Sequence, residues 1–340
     1  MGRSVSVDLD LVDATIVPSS GTKSYTLTTL TPLNSPNGGY FYLNGIANGV
    51  NDGTSMHMGN VIGSYFVDDA LTGFIESFYP NPSVTILPNS PEVYQWVTPT
   101  GINNLGQVVG YYQQDFDPNA PNIPNYGGNK FSGFLYNKGA ASLITLPAPS
   151  DAYVTLAYSI NDAGWIAGVY FDTNFTSHCL LYKPPYNAPI SFDFIGGIAN
   201  CSDLSAFKGI FDPGYYTLSI NGLGQIAGTV ETTGGSSGVA FVDDIEGDEP
   251  GASNAATVVI PAAANSFYFV TGLNNNGLVA GDFECPLAGF SAGGPPCTLS
   301  GYAFLVDQNG VMAPFVGMGF NGINDEVQMT DGNITIDSQH

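Results

Sequence analysis

The segment SINGLGQIAGTV at residues 219–230 decides how this chain is read, because it is repeated. GINNLGQVVGYY occupies 101–112, SINDAGWIAGVY 159–170 and GLNNNGLVAGDF 272–283. A lengthened variant, GVNDGTSMHMGNVIGSYF, lies at 49–66, and a degraded one, GINDEVQMT, at 322–330. The shared asparagines are Asn51, Asn103, Asn161, Asn221, Asn274 and Asn324, spaced by 52, 58, 60, 53 and 50 residues. Self-similarity at such a period marks stacked or radially arranged units.

Each unit reads as strands. An alternating or aromatic run precedes the asparagine, as in YVTLAYSI (153–160), YYTLSI (215–220) and FYFVTGL (267–273). Asn, two variable residues and Gly then form a hairpin turn, with Gly at positive φ and Asn bonding its own backbone. A second strand comes next, with a small residue and Gly within it (IAG 166–168, IAG 226–228, VAG 279–281). Gly inside a strand is costly unless another backbone approaches closely. A third strand recurs as SGFLY (132–136), SGVAFVD (237–243) and SGYAFLVD (300–307). A fourth recurs as SVTILP (83–88), SLITLP (142–147) and ATVVIP (256–261). Four short antiparallel strands per unit is the size of one β-propeller blade.

The expected fold is therefore an all-β, six-bladed propeller forming one domain over residues 1–340. Its units fall near 31–88, 89–147, 148–196, 207–261 and 262–315. A composite blade joins 316–340 to 1–30. It takes strands near 316–323, 327–330 and 333–337 from the C-terminus, and SYTLTTL (24–30) from the N-terminus, with SVSVDLDLV (4–12) also strand-like. Sharing a sheet between the chain ends removes free edges. Five or seven blades are the alternatives, and an open β-solenoid is the rival architecture.

Composition narrows the function. Lys and Arg total 6 against 29 Asp and Glu, a formal net charge of −23, which leaves little to neutralise a phosphate backbone or an anionic bilayer. Apolar residues make up 44% and charged residues 10%, unlike a disordered chain. No run approaches the roughly 18–20 apolar residues of a membrane helix. Met1-Gly2-Arg3 runs straight into a strand-like segment, so the chain reads as a mature secreted domain without its leader. Cys179, Cys201, Cys285 and Cys297 form no Cys-x-x-Cys pair. Disulfides closing the 285–297 loop and a second loop from 179 to 201 suit an extracellular protein; four buried thiols are the alternative.

The pairing of an Ile-Asn-x-x-Gly-x-Val-x-Gly turn with a downstream Ala-Phe-Leu strand resembles the bacterial HAF repeat, a probable extracellular repeat. Tyr302-Ala303-Phe304-Leu305 fits it best and Val239-Ala240-Phe241 is similar; His178-Cys179-Leu180-Leu181 keeps the His and loses Ala-Phe. The resemblance covers about 40 to 325 and implies extracellular location, with no general activity.

The candidate sites are modest. A ring of asparagine amides could line a channel, but repetition in every unit is what a turn requirement produces. Asp243, Asp244, Glu246, Asp248 and Glu249 in one loop offer hard oxygens for calcium, although the spacing of a helix–loop–helix calcium loop is absent and a solvated acidic loop is the plainer reading. Met56-His57-Met58 carries soft ligands suited to Cu(I), yet an extended segment puts both methionines on one side and the His on the other. His178 reads as a strand residue packed in place. Glu231 and Glu284 end equivalent second strands, near Tyr111, Tyr112 and Tyr170 of neighbouring units. Carboxylates there suit glycoside cleavage and the aromatics suit sugar stacking; exposed strand-end glutamates and core tyrosines are the alternatives. The expected function is a secreted, non-catalytic propeller binding a carbohydrate, surface polymer or protein. A glycoside hydrolase or lyase using channel-mouth carboxylates, and a self-assembling surface or filament protein, are the other readings.

Overall fold

The computed structural model describes residues 24–29, 41–46, 50–51, 56–57, 59–67, 70–77, 83–88, 96–116, 129–174, 176–192, 194–195, 199–200, 218–231, 238–244, 257–260, 267–284, 302–307, 312–316, 322–325, 327, 329–331 and 334–339. The chain is all-β, built from antiparallel four-stranded sheets in which sequential strands are neighbours. Sheet 1 comprises Phe41–Ile46, Val61–Val67, Ala70–Ser77 and Ser83–Ile86. Sheet 2 comprises Val97–Ile102, Val108–Phe116, Asn129–Tyr136 and Ile144–Thr145. Sheet 3 comprises Ala152–Ile160, Ile166–Asp172, Ser177–Tyr182 and Ile190–Phe192. Sheet 4 comprises Leu218–Ile220, Gln225–Glu231, Gly238–Asp244 and Thr257–Ile260. Sheet 5 comprises Phe267–Leu273, Val279–Glu284, Tyr302–Val306 and Met312–Val316.

Sheet 6 takes Gly322–Ile323, Met329–Asp331 and Ile334–Gln339 from one end of the chain and Ser24–Thr29 from the other. Ser24 lies opposite Gln339 and Thr29 opposite Ile334, a full six-residue register. The strand-like segment 4–12 lies outside the described residues.

Neighbouring sheets touch through their first strands. The first strand of sheet 3 packs on the first three strands of sheet 2, and that of sheet 5 on sheet 4. The first strand of sheet 1 touches both sheet 2 and the first two strands of sheet 6. The cores lie between the sheets. Ile62, Val97, Val108, Tyr112 and Phe134 fill the space between sheets 1 and 2. Val109, Leu135, Ile166, Tyr170 and Leu180 join sheets 2 and 3, and Leu156, Val169, Leu218 and Ile226 join sheets 3 and 4.

Close approach of the paired first strand within the same sheet explains the glycine in the second strands of sheets 2, 3 and 5. A Cβ at Gly168 would land on the Leu156 carbonyl oxygen of the strand alongside, and Gly281 meets the Phe269 carbonyl in the same way. The first strands of sheets 1, 2, 3 and 5 also share a register irregularity near their ends, between Leu43/Gly45, Pro99/Gly101, Ala157/Ser159 and Val270/Gly272. Such a bulge bends a strand and re-aims the residues beyond it. In sheets 2, 3 and 5 the residues beyond it are those of the asparagine turn.

Candidate functional site

Every hairpin has two ends, and here the ends differ chemically. At one edge of the sheets the first strand turns into the second through the repeated asparagine. The turn is closed by backbone bonds, from Asn221 N–H to the Gln225 carbonyl at 3.0 Å and from Gly224 N–H to the Asn221 carbonyl at 3.2 Å, and the same pair recurs at Asn103, Asn161 and Asn274. The Gly takes φ of +73° to +79° at Gly106, Gly164, Gly224 and Gly277.

The asparagine side chain does two jobs. Its Oδ1 accepts from the backbone within its own turn: Asn221 takes Leu223 N–H at 3.0 Å and Gln225 N–H at 2.9 Å. Its Nδ2 donates to the backbone carbonyl of the next asparagine in the next sheet. Asn103 reaches Asn161 at 3.0 Å, Asn161 reaches Asn221 at 3.0 Å, Asn221 reaches Asn274 at 3.2 Å and Asn274 reaches Asn324 at 3.1 Å. In Asn103 and Asn221 the second amide hydrogen goes to the Oε1 of Gln107 and Gln225. Both donors and both lone pairs of these amides are then occupied, and the side chains are 3–5% exposed. Such groups cannot also coordinate an ion or a ligand, so the amide-lined channel is replaced by a buried stitch. Asn51 pairs with Met56 in a short ladder that lengthens the first unit's hairpin.

A second, exposed series runs alongside. Asn104 gives its backbone N–H and its amide to the two carboxylate oxygens of Asp162 at 2.8 and 2.7 Å. Asn275 does the same to Asp325 at 2.6 and 2.7 Å, and Gly222 N–H bonds Asn275 Oδ1. A third contact comes two residues before the asparagine: Ser159 Oγ accepts from Ile220 N–H at 3.2 Å and Ser219 Oγ from Leu273 N–H at 2.9 Å. These inter-sheet roles were missed in the sequence; the small residue at Gly101, Ser159, Ser219, Gly272 and Gly322 was the available signal.

The opposite edge carries the proposed ligand residues. Glu231 and Glu284 end the second strands of sheets 4 and 5, opposite Gly238 and Phe267, and these two sheets are neighbours. The tyrosines correct the sugar-stacking expectation. Tyr111, Tyr112 and Tyr170 are core side chains, 9%, 1% and 5% exposed. Tyr111 meets Phe131 edge-on at 5.7 Å, and Tyr112 Oη shares a 2.7 Å hydrogen bond with Thr145 Oγ1. Tyr170 stacks on His178 at 4.5 Å. No open ring face remains on them for a sugar, because alternation along a strand packed on both faces turns successive tyrosines into two different cores.

His178 Nε2 lies 3.8 Å from Asp172 Oδ2. Burial pushes the Asp172 carboxyl up, but hydrogen bonds from the N–H groups of Thr176 and Asn174 and from the Asn174 amide, with His178 beside it, hold it below the usual carboxylate range. Asp172 thereby fastens the turn between the second and third strands of sheet 3. Asp243 and Asp244 end the third strand of sheet 4, on the asparagine edge beside Ile226 and Gln225. Glu246, Asp248 and Glu249 lie outside the described residues, and no group of three metal-ligating side chains occurs among the described ones. Met56 and His57 are adjacent in a strand; Met58 lies outside the described residues. Cys179 is fully buried and disulfide-bonded. Cys201, Cys285 and Cys297 lie outside the described residues.

No family model matches the chain, and no curated protein matches it. Among solved structures the chain is similar to a sialidase from Trypanosoma rangeli in complex with the inhibitor DANA, at 8% identity and a TM-score of 0.47, over 88% of this chain and 55% of that one. It is also similar to a gluconolactonase from Xanthomonas campestris, at 7% identity and TM-score 0.47, over 94% and 90%. A third is the virginiamycin B lyase from Staphylococcus aureus, at 12% identity and TM-score 0.42, over 94% and 99%. The chain spans about half the length of the sialidase. The chemistry in those names belongs to those proteins.

Proposed function

We propose that the chain is an extracellular, non-catalytic six-bladed β-propeller, closed by the sheet its two ends share, that binds a carbohydrate, surface polymer or protein through the edge opposite the asparagine turns. The observation that carries this reading is the inequality of the two edges. On the asparagine edge the turns are tied to one another by saturated amides and carboxylates. From the opposite edge leave the two longest connections between strands of these sheets, from Phe192 to Leu218 and from Glu284 to Tyr302. Variable connections on a rigid scaffold are where recognition is placed. The Cys179 disulfide and the net charge of −23 support an extracellular setting, as does the HAF-like repeat. Calcium in the 243–249 loop and a Cys179–Cys201 pairing belong to the same proposal.

A second reading, cleavage of a glycan by carboxylates, is favoured by one placement: Glu231 and Glu284 end equivalent strands of adjacent sheets. One experiment separates the two. The protein is applied to a glycan array and incubated with polysaccharides, each with and without calcium. Binding without turnover, lost at least tenfold in the E231A/E284A double variant with an unchanged thermal midpoint, supports the binder. Turnover abolished by E231Q or E284Q supports the enzyme. Blank arrays and blank assays reject carbohydrate binding and glycan cleavage and favour assembly.

A further inference from the structure

We infer that Asn174 is an acceptor for an N-linked glycan. Three Asn-x-Ser/Thr triplets occur in the chain: Asn174-Phe175-Thr176, Asn200-Cys201-Ser202 and Asn333-Ile334-Thr335. The triplet matters only where the amide can be reached, which means a surface turn. Asn200 sits in a ladder opposite Phe194. Thr335 lies in an inner strand of sheet 6, paired with Thr28 on one side and Thr330 on the other. Asn174 is exposed, in the turn between the second and third strands of sheet 3.

The turn also presents the amide well. Asp172 Oδ1 takes the backbone N–H groups of Asn174 and Thr176, both at 2.8 Å, which fixes the main chain without using the acceptor nitrogen. The Asn174 Nδ2 keeps only a long 3.4 Å contact to Asp172 Oδ2, at the limit of a real hydrogen bond. It can therefore leave that contact at little cost. The turn belongs to the same edge as Glu231 and Glu284, so a glycan there would project beside the proposed binding loops.

The donor is a lipid-diphosphate-linked oligosaccharide. Asn174 Nδ2 bonds to the anomeric carbon of the first sugar, the bond from that carbon to the diphosphate oxygen breaks, and the lipid diphosphate leaves with the electron pair. The amide loses one proton to the transferase's base, and nothing is oxidised or reduced. The inference rests on the extracellular reading, because the transferase acts on exported chains.

The test is export of the full chain from a eukaryotic secretory host, then intact-mass and peptide analysis before and after peptide-N-glycosidase. A glycan-sized mass increment is expected on the exported protein, with enzymatic release converting Asn174 to Asp. N174Q and T176A should each lose the increment, while N200Q and N333Q keep it, and N174Q should melt at the wild-type temperature. Exported, folded protein with a bare Asn174, or with glycan only at Asn200 or Asn333, overturns the inference. Failure of export with an intact fold would instead strike the extracellular reading itself.

Discussion

Replacing Asn221 tests the stitch between sheets. Its side chain makes four hydrogen bonds, donating to Gln225 Oε1 at 2.9 Å and the Asn274 carbonyl at 3.2 Å, and accepting from Leu223 and Gln225 N–H. At about 0.5–1.5 kcal/mol net for each bond, with the Leu223 and Gln225 N–H groups losing their acceptor, N221A should cost roughly 3–5 kcal/mol. At about 2.1 cal/mol/K of unfolding entropy per residue, the 340-residue chain loses ~1.4 °C per kcal/mol, so the midpoint should fall by roughly 4–7 °C. The discriminating variant is N221D. Aspartate keeps an oxygen for the two turn N–H groups, so a residue needed only as a turn cap would tolerate it. It also sets a second oxygen against two acceptors and buries a carboxylate, so the stitch predicts a loss at pH 7 as large as that of alanine. Burial raises that carboxyl's pKa in the folded state, and the deficit should shrink on acidification toward pH 4 as the group protonates. Thermal and urea unfolding of the three proteins at pH 7 and 4 measure this. An N221D protein within about 0.5 kcal/mol of wild type at pH 7 would refute the inter-sheet role.

Four shorter tests probe single positions. Val327 occupies the glycine position of the last turn with φ +61°, a left-handed conformation costing a side chain about 1–2 kcal/mol. Glycine there adds about 0.5–1 kcal/mol of unfolded-state entropy, so V327G should stabilise by about 0.5–1 kcal/mol in urea; an unchanged or lowered midpoint contradicts the strain argument. Gly139 and Gly168 form a matched pair: a Cβ at Gly139 meets no atom within 4 Å, whereas one at Gly168 meets the Leu156 carbonyl. G139A should cost about 1–2 kcal/mol through its positive φ, and G168A about 3 kcal/mol or more, or prevent folding; equal costs would remove the close-approach explanation. The depressed pKa of Asp172 contributes stability above the unfolded value of about 3.9, and that contribution is lost as pH falls through the lower folded value. The gap between D172N and wild type, measured by thermal melts from pH 7 to 2, should therefore close below about pH 4, and a gap constant with pH refutes it. Non-reducing peptide maps should recover Cys179 linked to Cys201; Cys179 joined to Cys285 or Cys297 would displace that pairing.

The unit and its turn were readable in the sequence because both arise from local chemistry. A left-handed glycine and an asparagine that bonds its own backbone must sit at fixed offsets, so Asn103–Gly106 and Asn274–Gly277 announce themselves. The stitch was hidden because Asn103 reaches Asn161 across 58 residues, a distance set by packing and not by the chain. The bulge after Leu43, Pro99, Ala157 and Val270 was invisible for the same reason, since alternation looks unbroken until the partner strand is known. Tyr112 and Tyr170 misled because their side chains, at the ends of apolar runs, read equally as rim or core. Sheets packed on both faces settle them as core.

The degraded last unit shows which repeat positions answer to a neighbour and which to their own turn. It has lost the glycine, and Val327 bears the positive φ in its place with the backbone bond to the Asn324 carbonyl kept at 3.1 Å. It carries Asp325, where other units have Asn104, Asp162, Gly222 and Asn275, and this carboxylate receives both the N–H and the amide of Asn275. A turn glycine relieves only local strain of about 1–2 kcal/mol, which one sheet can absorb. Losing the carboxylate would remove two exposed bonds to the adjoining sheet. The same logic separates the two edges. The asparagine of each turn is constrained by the next unit as well as its own, and so it recurs. The connections leaving the opposite edge differ in length and sequence from unit to unit, which is the freedom a recognition surface needs.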